Sequence, residues 1–129
     1  MIYCDGASHQ GYRESPISYK SKQLYFRGAR NAQGVFKYLS ERFDFYNRDT
    51  ILITGVSAGG LGTYEWTNYL HANTKSSRVL SMPDSGMFIT DFYSPVIGKS
   101  IIKIRTQNLL SVIGYSEQDV PEPVGMCLN

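Results

Sequence analysis

The fold of this chain is decided by residues 49–60, which read Asp-Thr-Ile-Leu-Ile-Thr-Gly-Val-Ser-Ala-Gly-Gly. The run Ile51–Thr54 is short, apolar and largely β-branched, which predicts a buried strand. It leads into Gly55–Gly59, the Gly-x-Ser-x-Gly pattern, and Leu61–Ala72 after it is compatible with a helix. A strand, a tight turn and a helix in this order predict that Ser57 is a nucleophile, because such a turn exposes the serine Oγ at the carboxyl edge of a sheet.

The small residues beside Ser57 have predicted roles in the same turn. Gly55 and Gly59 are expected because side chains there would collide across the turn. The N–H of Ala58, at the start of the helix, is expected to point toward a developing oxyanion. The alternative is a glycine-rich turn that only packs a helix on a sheet.

Strands and helices alternate along the rest of the chain. Apolar runs predict strands at Ile2–Cys4, 50–54 and Arg78–Met82, the last closed by Pro83. Apolar spacing predicts helices at Gln23–Phe43, at about 59–73 and at Ser100–Ile113. Loops are expected at Asp5–Tyr19 and 85–96, followed at the end by an irregular tail, Gly114–Asn129.

This order predicts an α/β fold with a parallel sheet, whose ligands bind at the carboxyl ends of the strands. Three loops are expected at that edge: Asp5–Tyr12, Gly55–Gly60 and Asp84–Met87. Besides Ser57 and Ala58, the residues predicted to line the site are Asp5, Gly6, Ser8, His9, Gly59, Gly60 and Asp84.

A serine hydrolase of the α/β-hydrolase type orders its triad as Ser, then Asp or Glu, then His. Asp84 lies after the strand that follows Ser57, but both histidines, His9 and His71, precede it. His71 is expected far from the Ser57 Oγ, and His9 is a weak candidate for the base. The chain is therefore expected to be one partial domain, 1–129, that holds the central part of an α/β-hydrolase-type sheet flanked by helices.

Composition favours a globular protein and argues against several classes of partner. The net charge is only +2, and the 13 Lys and Arg side chains form no block, which gives nucleic-acid binding no support. No apolar window is long enough to span a membrane, and the chain as written has no signal peptide. No cluster has metal-ligand spacing, and Cys4 and Cys127 leave their pairing open.

Four blocks together resemble the pectin acetylesterase family, which includes the Notum-type carboxylesterases. They are Tyr3–Ser8, Leu24–Gly28, Thr54–Leu61 and Pro83–Phe88, and the Asp-Gly-Ala-Ser in the first is closer to the plant-type acetylesterases. The resemblance implies an extracellular, cofactor-free esterase of the α/β-hydrolase type with a Ser-Asp-His triad. Only Ser57 matches a triad position.

The resemblance also implies which family parts this chain does not carry. The triad Asp and His of the family lie farther downstream than residue 129, so Asp84 matches a family motif without being the triad acid. The oxyanion loop of the family would precede Met1, and the partner of Cys127 would follow the end of the chain.

The function that follows is the hydrolysis of a carboxylic ester, as the O-deacetylation of a glycan, with an acetylated polysaccharide as substrate. Two alternatives remain open at this point. One is a Notum-like deacylase of a lipidated protein. The other is a catalytically inactive, truncated family member that acts as a binding module. The sequence gives no indication of oligomeric state.

Overall fold

A computed structural model describes residues 1, 4–75 and 78–87 of the chain. Four strands and two helices are present in these residues. The strands are β1 (Ile17–Tyr19), β2 (Lys22–Leu24), β3 (Thr50–Val56) and β4 (Arg78–Asp84). The helices are α1 (Gly28–Phe43) and α2 (Ala58–Asn73), and a 3₁₀ turn at Phe45–Asn47 follows α1.

Strands β3 and β4 pair in parallel, in a register that runs from Thr50 opposite Arg78 to Val56 opposite Asp84. Helix α2 connects them, as parallel strands require a crossover between their ends. The described residues therefore form a small α/β unit with a parallel sheet and two helices, as predicted.

Both helices lie on one face of this sheet. Ala32 of α1 and Trp66 of α2 are buried against each other, and Ile53 of β3 packs against the same cluster. The ring of Phe36 meets Trp66 edge-on at a centroid distance of 5.5 Å. On β3 the alternate side chains, such as Leu52, point to the opposite face, which is exposed within the described residues.

The predicted helix at Gln23–Phe43 is wrong at its start. Residues 23 and 24 belong to an antiparallel hairpin of β1 and β2, which also occupies part of the predicted loop Asp5–Tyr19. Lys20 makes the turn with a φ of 54°, and Ser18 and Gln23 exchange side-chain hydrogen bonds across the strands. This local pairing, rather than the apolar spacing, sets where α1 begins.

The prediction that Pro83 closes the third strand is also wrong, because β4 continues through Pro83 to Asp84. Proline lacks an N–H, and a strand tolerates it where one row of N–H groups is unpaired. Within the described residues β4 has only β3 as a neighbour, so it is such an edge. The predicted strand at Ile2–Cys4 lies partly outside the described residues. The predicted helix Ser100–Ile113 and the predicted tail Gly114–Asn129 lie wholly outside them.

Candidate functional site

Ser57 lies at the turn between β3 and α2, with a φ of 55° and a ψ of −115°. Its N–H donates to the carbonyl of Asp84 at 2.9 Å, and its own carbonyl accepts from the N–H of Leu61 at 3.1 Å. A positive φ at a non-glycine residue costs on the order of 1–3 kcal/mol and persists only where its surroundings hold it. Here β3, β4 and α2 all hold it, and the Ser57 side chain makes no capping hydrogen bond to α2.

Glycines permit the tightness of this turn. A Cβ at Gly55 would overlap the carbonyl of Gly59, as predicted. A Cβ at Gly59 would meet nothing within 4 Å, so the predicted collision at that residue is wrong. Gly60 instead lies against Gly86, where a Cβ on Gly60 would stand 2.7 Å from the Gly86 Cα. This contact joins the start of α2 to the end of β4.

Ala58 is the first residue of α2. The first N–H groups of a helix have no partner within the helix, and the helix dipole concentrates positive charge there. Ala58 and Gly59 both border the same cleft as Ser57. The start of α2 thus offers backbone donors next to Ser57.

A second structure at this cleft is the loop Asp5–Gly11, here called the Asp5 loop, because its His9 borders the cleft. The Asp5 carboxylate is buried and accepts backbone N–H groups from Ala7 at 3.1 Å, His9 at 3.2 Å and Gly11 at 3.2 Å. Ser8 and His9 both have positive φ angles, of 54° and 61°. The carboxylate therefore organises a strained loop from inside.

The Asp5 loop is wedged between the two helices. A Cβ at Gly28, the first residue of α1, would overlap the Asp5 carboxylate, and a Cβ at Gly62 of α2 would stand 2.6 Å from the Ser8 carbonyl. The indole N–H of Trp66 donates to the His9 carbonyl at 3.2 Å. These contacts fix the position of His9 against α2.

His9 and Ser57 border one cleft of about 660 Å³. Most of the other side chains that line it are apolar, including those of Val35, Phe36 and Ile53. Burial lowers the pKa of His9 below its ordinary value of 6.5, against the opposing effect of the nearby Asp5 carboxylate. This shift favours the neutral imidazole, and His9 borders the same largely apolar cleft as Ser57.

Of the residues predicted to line the site, Ser57, Ala58, Gly59 and His9 border the cleft. The other five predicted residues, all of which the structure describes, do not border it: Asp5, Gly6, Ser8, Gly60 and Asp84. His71 is exposed in the last turn of α2.

Sequence reasoning missed Gly62 and Trp66, which seat the Asp5 loop on α2. Three glycines within the first turn and a half of a helix are costly for helix stability. Their presence at 59, 60 and 62 was the available signal that another segment lies against this helix.

The described residues offer neither a metal site nor a membrane-spanning helix. Among them, no group of three or more His, Cys, Asp or Glu side chains is arranged to hold a metal ion. In the same part of the chain, no helix is both long and apolar enough to cross a bilayer.

A family model described as Pectinacetylesterase matches residues 1–119. The chain belongs to the pectinacetylesterase family. Comparison with curated proteins found no match, and comparison with solved structures found none either. Membership of the pectinacetylesterase family supports, in general terms, a carboxylic-ester hydrolase that acts on an acetylated or other ester substrate. The family is generally extracellular.

Proposed function

We propose that this pectinacetylesterase family member removes acetyl groups from a glycan with Ser57 as its nucleophile. The observation that carries the proposal is the backbone of Ser57, held at a positive φ between a parallel strand and the start of α2. In α/β hydrolases the nucleophile occupies such a turn, where its Oγ is exposed beside helix N–H donors. We extend the proposal to an α/β-hydrolase fold for the partial domain 1–129. Because the family is generally extracellular, we also propose that the protein is secreted.

The proposed reaction begins when the Ser57 Oγ attacks the acetyl carbonyl carbon and its proton passes to a base. The carbonyl oxygen becomes an oxyanion that accepts a hydrogen bond from the Ala58 N–H. The bond from carbon to the glycan oxygen then breaks, and the proton goes to the departing alcohol. Water hydrolyses acetyl-Ser57 and releases acetate.

These residues assign neither the base nor the acid of the triad. His71 comes fourteen residues after Ser57, which corresponds to ~20 Å along a helix. His9 borders the same cleft. It belongs to the Asp5 loop, and its backbone is held there at a positive φ. The proposal for this chain therefore concerns the nucleophile and the oxyanion donor.

A second candidate, a Notum-like deacylase of a lipidated protein, is favoured by the lining of the cleft. An acetyl group is small, whereas a cleft of about 660 Å³ lined by Val35, Phe36, Ile53 and Trp66 has room for a longer apolar acyl chain. Apolar lining favours binding in proportion to the apolar area buried. Hydrolysis of p-nitrophenyl esters from acetate to octanoate separates the two: preference for acetate supports the glycan deacetylase.

The proposal is tested on the protein produced from its natural gene, with acetylated polygalacturonate as substrate and acetate release as the readout. Ser57→Ala is expected to lower turnover by at least about 10³-fold, as loss of a nucleophile does. The matched control is Ser85→Ala, because Ser85 also follows a parallel strand with a positive φ, of 52°. Turnover that survives Ser57→Ala contradicts the proposal, and absence of turnover in the unaltered protein favours a binding module.

A further inference from the structure

The segment 11–30, which precedes and begins α1, is richer in positive charge than the rest of the chain, although its cations form no consecutive run. It holds five Lys and Arg side chains and one Glu, whereas the rest of the chain has more acidic than basic side chains. The small net charge of +2 therefore conceals two regions of opposite sign. Such an asymmetry points to an anionic partner for the basic region.

Exposed tyrosines lie among these cations. Tyr12 is 51% exposed, Tyr19 57% and Tyr25 54%. Each ring carries a cation over it: Arg30 at 5.4 Å from the Tyr12 centroid, Lys20 at 5.3 Å from Tyr19 and Arg27 at 4.9 Å from Tyr25. Each cation covers only one face of its ring, so the other face is not covered by that cation. Aromatic rings held in this way are stiff platforms on the surface.

Contacts through Glu14 join these rings and cations into one continuous surface. Arg30 forms an ion pair with Glu14 at 3.2 Å, and Arg27 donates to the Glu14 carbonyl at 3.0 Å. Arg30 and Arg27 thereby connect the Tyr12 ring to the Tyr25 ring. The hairpin extends the surface, because Tyr19 pairs with Lys22 in the register of β1 and β2, and both are exposed.

This basic aromatic surface, defined as Tyr12, Tyr19, Lys20, Lys22, Tyr25, Arg27 and Arg30, begins close to the cleft. Tyr12 follows His9 by three residues, and three residues span at most ~11 Å. Since His9 borders the cleft, a polymer whose ester group sits beside Ser57 has its neighbouring units within reach of the surface.

We propose that the basic aromatic surface binds a polyuronate, the anionic type of polysaccharide, and so holds a polymeric substrate across the cleft. Tyrosine rings offer flat apolar faces to the C–H face of a pyranose ring, and Lys and Arg side chains pair with the uronate carboxylates. A neutral glycan would use the rings alone, whereas a polyuronate uses the rings and the charges together. The proposal rests on the proposed function for the substrate class, but binding itself needs neither an ester nor Ser57.

The test uses the full chain carrying Ser57→Ala and soluble oligogalacturonates without ester groups, with binding measured by titration calorimetry. Binding is expected, and it should weaken as salt rises, because exposed charges are screened. The double variant Lys20→Gln, Lys22→Gln and the variant Tyr25→Ala should each weaken binding about three- to tenfold, in line with exposed charge pairs and single ring contacts. These side chains are exposed, so the fold should be retained, and a thermal melt checks this.

The matched controls are Lys37→Gln and Tyr64→Ala, which remove an exposed cation and an exposed ring from the helices outside the surface. Both are expected to bind oligogalacturonate as the parent does. Equal losses in the controls, or equal affinity for a neutral galactan or for DNA of matched length, would overturn the proposal. Because the ligand has no ester and the parent lacks the Ser57 hydroxyl, a failure here is independent of whether Ser57 is a nucleophile.

Discussion

The two parallel strands end in similar ways and lead to different surroundings. Strand β3 is followed by Ser57 with a φ of 55°, and β4 by Ser85 with a φ of 52°. Ser57 passes directly into α2 and its side chain caps nothing, whereas the Ser85 hydroxyl donates to the Asp84 carboxylate at 2.9 Å and no described helix follows it. Strain alone therefore does not distinguish a reactive serine. The proposed role of Ser57 rests instead on the start of α2 and on a hydroxyl that makes no capping hydrogen bond.

The largest effect expected concerns rate in the polypeptide 1–129 by itself. Its two histidines are His9 and His71, and neither fits the triad order. Hydrolysis of p-nitrophenyl acetate by this polypeptide should fall several orders of magnitude below that of a complete triad, because a missing triad member removes that much. Rapid hydrolysis lost on Ser57→Ala would break this expectation, and it would assign the base to His9.

The second effect concerns the Asp5 loop, which packs on α2, the helix that follows Ser57. Among the described residues, no such loop packs on a helix after Ser85. Asp5→Ala leaves the N–H groups of Ala7, His9 and Gly11 without their acceptor. At ~1–3 kcal/mol for each buried unpaired donor, the free energy of unfolding should fall by about 3 kcal/mol or more. Urea unfolding measures this change, with the exposed Glu65→Ala expected to stay within about 0.5 kcal/mol.

A third effect concerns the two glycines on either side of Ser57, Gly55 and Gly59, because an added Cβ would meet different surroundings at each. Gly55→Ala places a methyl group on the Gly59 carbonyl and should cost about 1–3 kcal/mol. Gly59→Ala enters open space within a helix and should stabilise by up to ~1 kcal/mol. Thermal melts of both variants measure this. Equal changes of the same sign would mean that the turn is not closed by the Gly55 contact.

The smallest effect expected is a dependence of stability on pH from His9. Because its pKa is lowered in the folded state, its contribution is full above the ordinary value of 6.5 and is lost as pH falls through the lowered folded value. His9→Gln should remove this part of the decline in urea midpoints between pH 7.5 and 5. An unchanged decline in His9→Gln would show that other groups cause it.

Sequence alone predicted the parts of this molecule that depend on local patterns. The apolar run before Gly55 and the Gly-x-Ser-x-Gly pattern were sufficient for β3, the turn and α2. The hairpin of β1 and β2 was missed because its strands are three residues each and mostly exposed, so no apolar alternation marks them. The prediction for Pro83 failed because proline is excluded from a strand only where its missing N–H would be paired.

The candidate site was predicted less completely, since most of it depends on contacts between distant segments. Asp5 and Asp84 were assigned to the site by their sheet edge, which sequence can suggest. The Asp5 carboxylate accepts N–H groups of its own loop and the Asp84 carbonyl accepts the Ser57 N–H, contacts that only the fold reveals. Gly62 and Trp66 act through residues more than fifty positions away. Sequence spacing carries no record of such pairs.

The central claim, that Ser57 differs chemically from Ser85, is tested most directly by mapping a fluorophosphonate adduct in the protein produced from its natural gene. Tryptic cleavage after Lys and Arg places Ser57 in the peptide 49–75 and Ser85 in the peptide 79–99, so mass spectrometry separates them. The account predicts an adduct on Ser57 in the first peptide and an unmodified second peptide. An adduct on Ser85, or an unmodified Ser57 in a protein that hydrolyses acetyl esters, would contradict it.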